Sequence, residues 1–142
     1  MSQETIQEKV VTAEGGCLCG AVRYRVAGKI CESGYCHCRT CQRQSGSPTV
    51  AWFAVAPNAF SYLSGAPKTY RASSHAGREF CSNCATYLVF REDSTEATIS
   101  VNTATLDDPS LIPPELHIYT HSQISWFDTN DALPRFGQGR VE

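Results

Sequence analysis

"GGCLCGAVRYRVAG", residues 15–28, sets two cysteines in a glycine-flanked turn and then alternates Val22, Tyr24 and Val26 with Arg23 and Arg25. A period of two marks a half-buried strand, with one face in a core and one in water, and Gly28 is expected to close it. The glycines at 15, 16 and 20 free the backbone to turn sharply, so that Cys17 and Cys19 can aim at one point. A cysteine turn joined to a strand predicts a small β domain built around a metal.

A second pair, Cys81 and Cys84 of "CSNC", lies far along the chain. Together the two pairs make a closed four-thiolate zinc set that ties the first strand to a distant hairpin; redox or disulfide chemistry is the alternative for the same spacing. Between the pairs, "CHCRTC" supplies Cys36, Cys38 and Cys41. Three protein ligands with one open position distinguish a catalytic zinc from a structural one. Two neighbours offer the alternative of a closed second site. One is Cys31, otherwise an inert buried thiol. The other is His37, poorly placed because the side chains on either side of it must already converge on the metal. If the position is open, three thiolates on a dication leave a net charge of about −1. Such a metal suits holding an incoming thiol as a thiolate better than generating hydroxide.

The chain has 142 residues, 42% hydrophobic and 18% charged, enough for one domain with its own core. Its expected organisation is an N-terminal tail over residues 1–14, one zinc-binding domain over 15–136, and a C-terminal tail over 137–142. A net charge of −2 with no block of basic residues argues against a general nucleic-acid surface. "MSQETIQEKVV" has neither a basic nor an apolar leader region, and no stretch reaches the ~18 apolar residues of a membrane span. The expectation is a soluble cytoplasmic protein, without membrane or nucleic-acid partners. Eight cysteines in a reducing compartment then favour metal ligation over disulfides.

Further strands are predicted in "TVAWFAVAP", "FSYLSG", "KTYRAS", "ATYLVFRE", "ATISVNTATL" and "ELHIYTHSQISWF", each rich in β-branched or aromatic residues and bounded by turn formers. No sustained 3.6-residue period appears, although "CRTCQRQSG" and "DDPSL" suit short helical turns. The fold class is therefore all-β and antiparallel. "NDALPRFGQGRVE" has the composition of a loop with a frayed end.

"GGCLCGAVRY", "CHCRTCQRQSG" and "GREFCSNCATYL", followed by "ISVNTATLDDPS", "PPELHIYTHSQISWFD" and "LPRF", resemble the glutathione-dependent formaldehyde-activating (GFA) family, in order from Gly15 to Phe136. The resemblance implies a β-tent-like domain with a structural zinc on Cys17, Cys19, Cys81 and Cys84. It also implies a second zinc on Cys36, Cys38 and Cys41 that is open to a ligand. The implied activity is that of a carbon–sulfur lyase or synthase joining a small thiol such as glutathione to an aldehyde such as formaldehyde. Centromere protein V, a member of the same family, points to the alternative of a non-catalytic zinc module for partner binding. The residue after the third cysteine, often basic in the family, is here Gln42, with Arg43 following.

Glutathione carries two carboxylates, so a pocket for it wants guanidinium forks near the open zinc. Arg39, held between two ligands, is the first candidate; Arg43 is the second, and Arg78 precedes the "CSNC" turn. Each is otherwise an ordinary solvated arginine. His37 has an unperturbed pKa suited to passing a proton to or from bound substrate, with a structural role as the alternative. His75, His117 and His121 carry no spacing signal and are expected to be structural. Trp52 and Phe53 are candidates for a pocket wall or for core.

Overall fold

Residues 9–139 are described by the structure, a computed structural model. β1 (Val10–Gly16) and β2 (Arg23–Cys36) form an antiparallel hairpin from Val10↔Lys29 to Gly16↔Arg23, and the first cysteine turn is its loop. A single helix, α1 (Arg39–Ser45), follows β2. Six strands come next: β3 (Val50–Val55), β4 (Phe60–Ser64), β5 (Lys68–Tyr70), β6 (Ala76–Phe80), β7 (Tyr87–Glu92) and β8 (Ile99–Asn102). The short β9 (His117–Ile118) closes the set.

The strand order is β1-β2-β3-β8-β7-β6-β5, with β4 and β9 attached to β2. All pairings are antiparallel except β2 with β9, so the all-β expectation holds. β2 organises the whole. Its first half pairs with β1 and β4, and its second half pairs with β3 and β9. The register slips between Ile30 and Glu32, which makes Cys31 the extra residue of a bulge and leaves its side chain exposed. The main core gathers Tyr24, Val26, Ile30, Phe53, Val55, Leu88, Val89, Ile99, Val101 and Ile112. A smaller cluster of Cys36, Cys41, Trp52, Ala54 and Leu116 lies at the other end of β2.

Several boundaries differ from those the sequence suggests. The strand at Arg23 does not close at Gly28, because Gly28 pairs with Val11 and β2 continues to Cys36. Cross-strand pairing outweighs a single glycine's weak strand preference. β1 begins at Val10, inside the stretch assigned to a tail, and residues 1–8 lie outside the described part. β6, "AGREF", has no alternation to announce it. In "ELHIYTHSQISWF" only His117–Ile118 is strand, since Tyr119 takes the left-handed conformation (φ 57, ψ 40) and leads into a 3₁₀ turn, Thr120–Ser122. The C-terminal segment is a loop as expected, but its backbone is tied down: His117 donates to the Pro134 carbonyl, Phe136 to that of His117 and Tyr119 to that of Gln138. No helix among the described residues is long and apolar enough to cross a membrane.

Candidate functional site

Cys17 and Cys19 in the β1–β2 loop meet Cys81 and Cys84 at the β6–β7 turn, with all four Sγ atoms within 4.8 Å of one another. Cys17 and Cys19 Sγ are 3.6 Å apart and Cys19 and Cys81 Sγ 3.8 Å, against about 3.8 Å for a tetrahedron edge with 2.3 Å zinc–sulfur bonds. The surrounding groups donate to sulfur as they would to thiolates. Val22 N–H lies 3.2 Å from Cys17, Asn83 and Cys84 N–H lie 3.3 and 3.4 Å from Cys81, and the Asn83 amide lies 3.3 Å from Cys19. Leu18 N–H donates to the Thr86 hydroxyl, which faces Cys84 Sγ at 3.2 Å and joins the two turns. Hydrogen bonds from the Thr86 hydroxyl and N–H hold the Cys84 thiol down to about 5. The donor set and spacing fit a four-coordinate metal.

Cys36, Cys38 and Cys41 form a second group, again with Sγ atoms within 4.8 Å. Local structure explains the convergence. β2 ends at Cys36, and Cys38 is still extended (φ −66, ψ 151), so residues 36 and 38 point to one side and His37 to the other. Cys38 is also the N-cap of α1, its sulfur accepting the Cys41 N–H at 3.3 Å. One turn into the helix, Cys41 returns to the same point. Hydrogen bonds from Cys36 and Cys41 hold Cys38 down to about 2, while the same sharing pushes Cys36 up. Two thiols around one thiolate are the arrangement a dication would relieve. Among the described residues no fourth cysteine, histidine or carboxylate joins the group.

Arg78 stands against this cluster. It is 8% exposed, and its Nη1 lies 3.4 Å from Cys41 Sγ, 3.0 Å from Gln44 Oε1 and 3.3 Å from the Tyr87 hydroxyl. Its guanidinium lies 5.5 and 5.3 Å from the Tyr87 and Phe90 ring centres. Burial is the largest single influence and opposes its charge, yet the Cys41 hydrogen bond together with the charges of Tyr87, Cys41 and Cys38 raises its pKa. A cleft of about 720 Å³ opens on its other side, walled by Arg39, Thr40, Arg43, Gln44, Tyr70 and Arg78. The helix period divides α1 cleanly, since residues 39, 40, 43 and 44 face the cleft while 38, 41 and 42 face inward. None of the three cysteines lines the cleft, so Arg78 is the wall shared by the two.

The arginine candidates thus divide. Arg39 and Arg43 are exposed on the cleft, Arg39 Nη1 donating to Gln42 Oε1 at 2.5 Å, whereas Arg78 is no solvated surface residue. His37 is wholly buried with its ring against His117, on the side of the backbone opposite the Cys36 and Cys38 sulfurs, which removes the contact with a triplet-bound substrate that a proton carrier needs. Phe53 belongs to the main core; Trp52 packs beside Cys36 and Cys41. His75 and His121 are exposed and His117 is buried. Gln42, the residue after the third cysteine of the triplet, ties α1 down. Its amide donates to the carbonyls of His37 (2.7 Å) and Ser122 (3.0 Å), pinning the helix to the loop beyond β9. Gln44 and Tyr87, which hold Arg78, had no signal in sequence because their partner lies on another element.

A sheet domain with one four-cysteine and one three-cysteine group defines a β protein with two groups that could each hold a metal ion. Residues 12–122 match the family described as glutathione-dependent formaldehyde-activating enzyme, and the chain belongs to that family. It is similar to an uncharacterized lyase, C29B12.13, of Schizosaccharomyces pombe (strain 972 / ATCC 24843), with 36% identity over 77 residues. That match covers 54% of this chain, which spans 56% of the relative's length. A crystal structure of a Rhodobacter sphaeroides protein superposes with a TM-score of 0.53 at 26% identity, covering 66% of this chain and 87% of the other.

Proposed function

We propose that the protein is a zinc-dependent carbon–sulfur lyase that makes or cleaves the adduct of a small anionic thiol and an aldehyde, with glutathione and formaldehyde as the first pair to test. The observation that carries this is the three-thiol group, joined by no fourth cysteine, histidine or carboxylate among the described residues and set beside an arginine-walled cleft. Family membership and the lyase name of the yeast relative support the same class. Such a protein would work in a reducing cytoplasm, where its eight free cysteines stay available to metal. Its partners would be small molecules rather than nucleic acid or membrane.

In the reaction the thiol sulfur attacks the carbonyl carbon, a C–S bond forms, the C=O π pair moves to oxygen, and the thiol's proton ends on that oxygen. No oxidant or reductant is needed. Zinc on Cys36, Cys38 and Cys41 would supply the positive charge that keeps the incoming thiol ionised. The chain's own residues do the rest. Arg78 offsets the negative charge that thiolates collect at the triplet, and Arg39 and Arg43 offer forked donors to carboxylates lying in the cleft. Arg78 takes the Tyr87 oxygen as acceptor, which leaves the Tyr87 O–H free to donate.

The test is NMR exchange spectroscopy of the zinc-loaded protein with glutathione and formaldehyde. Acceleration of adduct exchange over buffer is expected, and Cys38→Ser should abolish it. Exchange no faster than buffer, for glutathione and for other anionic thiols alike, would leave the non-catalytic zinc module as the better account.

A further inference from the structure

Two histidines lie in the core beside the triplet with no part in the chemistry above. His37 and His117 are both wholly buried, their rings stacked with centres 5.0 Å apart, and His37 Nε2 is 2.8 Å from His117 Nδ1. His117 Nε2 is 3.0 and 3.1 Å from the two Asp131 carboxylate oxygens, and the Asp131 side chain is 33% exposed. A line of hydrogen bonds therefore runs from the surface to the residue between two triplet cysteines.

Asp131 sets its direction. A carboxylate only accepts, so His117 carries its hydrogen on Nε2 and presents a bare Nδ1. His37 must then donate from Nε2, which leaves His37 Nδ1 as a lone pair, and this atom is buried without a partner. Against its own desolvation, hydrogen bonds from Leu133 N–H and His117 hold the Asp131 carboxyl below its usual value. The backbone runs alongside. His37 N–H donates to the Ile118 carbonyl at 3.1 Å, His117 N–H to Pro134 and Phe136 N–H to His117, each of these last two at 2.8 Å.

We propose that Asp131 and His117 are positioning residues for the three-cysteine group, and that through them the loop carrying residues 127–136 sets how firmly the triplet holds its metal. The mechanical reason lies in the extended stretch from Cys36 to Cys38. Its two cysteines point one way and His37 the other, so a ring fixed on one side resists the twist that would separate the sulfurs on the other. This rests on the triplet as a metal site and not on the thiol–aldehyde reaction.

Two measurements test it without an activity assay. In wild-type protein, nitrogen-detected NMR of the imidazoles should show both His37 and His117 as Nε2–H tautomers; an Nδ1–H on His37 would overturn the chain. In cadmium-loaded protein, ¹¹³Cd NMR separates a four-sulfur from a three-sulfur site, and chelator competition then gives a release rate for each. Asp131→Ala should speed release from the triplet about tenfold while leaving the four-cysteine site unchanged, as loss of an outer-shell partner does elsewhere. Asp131→Asn, which retains an acceptor oxygen, should restore most of the wild-type rate. Equal acceleration at both sites, no acceleration at either, or an asparagine variant as fast as the alanine variant would each overturn the proposal. Absence of a second cadmium resonance in wild type would instead overturn the metal reading of the triplet, with the tautomers still measurable.

Discussion

Arg78 is a buried cation, and among the described residues no carboxylate forms an ion pair with it. A charge out of water needs an opposite one, and the cysteine triplet is within reach, with Cys41 Sγ at 3.4 Å and the readily ionised Cys38 beside it. This fits a thiolate-rich triplet with an excess of negative charge, which Arg78 offsets. Arg78→Gln should therefore weaken cadmium binding at the triplet by about one order of magnitude, the scale of a charge-assisted hydrogen bond, and leave the four-cysteine site alone. Chelator competition reads both. Arg78→Lys should recover only part of the loss, because an ammonium on a shorter stem cannot lie over the Tyr87 and Phe90 rings as the planar guanidinium does. Arg78 was visible in sequence only as an arginine near a cysteine turn, since the cysteine it serves lies 37 positions away. A second residue-scale expectation concerns acid. Cys84 is depressed from 9.0 to about 5 in the folded metal-free chain, so its contribution is fully present above 9.0 and is lost as pH falls through about 5. In the zinc-loaded protein the melting temperature should fall once acid brings the pH to that value and below, where protons compete with metal for the sulfur, and Thr86→Val should start the fall at a higher pH by removing the hydroxyl that faces Cys84.

α1 has seven residues, too few to persist alone, so its ends and its buried side must hold it. Cys38 caps the first turn and Gln42 pins the inner side, while Gly46 ends the helix at φ 67 with its N–H on the Gln42 carbonyl. A methyl group at Gly46 would meet nothing within 4 Å, so Gly46→Ala isolates the cost of the left-handed backbone, about 1–2 kcal/mol. Thermal unfolding should show that loss, and triplet metal release should quicken with it because α1 carries Cys41. The elements differ in how far sequence announces them. Val22, Tyr24 and Val26 declare the start of β2, but its second half has Gly34 packed so closely on Leu116 that a Cβ would lie 2.8 Å from the Leu116 carbonyl oxygen. That contact comes from the residue just before β9, more than 80 residues later, and no local pattern encodes it. β6 is hidden for a related reason: Arg78 and Glu79 are both buried, Glu79 between the Tyr62 hydroxyl and Arg91, each at 2.6 Å. A strand whose charged residues are paired internally shows no polar face.

At the scale of the molecule the two cysteine groups differ in what they join. Cys17 and Cys81 belong to the main core, with Cys84 packed against it, and their group ties the β1–β2 loop to a turn more than 60 residues away. The triplet spans only the end of β2 and one turn of α1, within the smaller cluster around Trp52 and Leu116. This division was legible in the spacing of the cysteines alone, because two separated pairs close a long loop and a tight triplet closes none. Binding at a structural zinc is folding free energy, of order 10 kcal/mol in small zinc domains, and it exceeds the net stability of many domains this size. Cys84→Ser should thus unfold the protein or lower its melting temperature steeply, with loss of metal. Cys38→Ser should lose only triplet metal and keep the sheet folded, because serine is itself a favoured N-cap whose hydroxyl can accept the Cys41 N–H. Circular dichroism melts beside a metal count per chain check both variants. A Cys38→Ser protein as unstable as Cys84→Ser would mean that the triplet, too, holds the fold together, and the assignment of an open working site to it would fail.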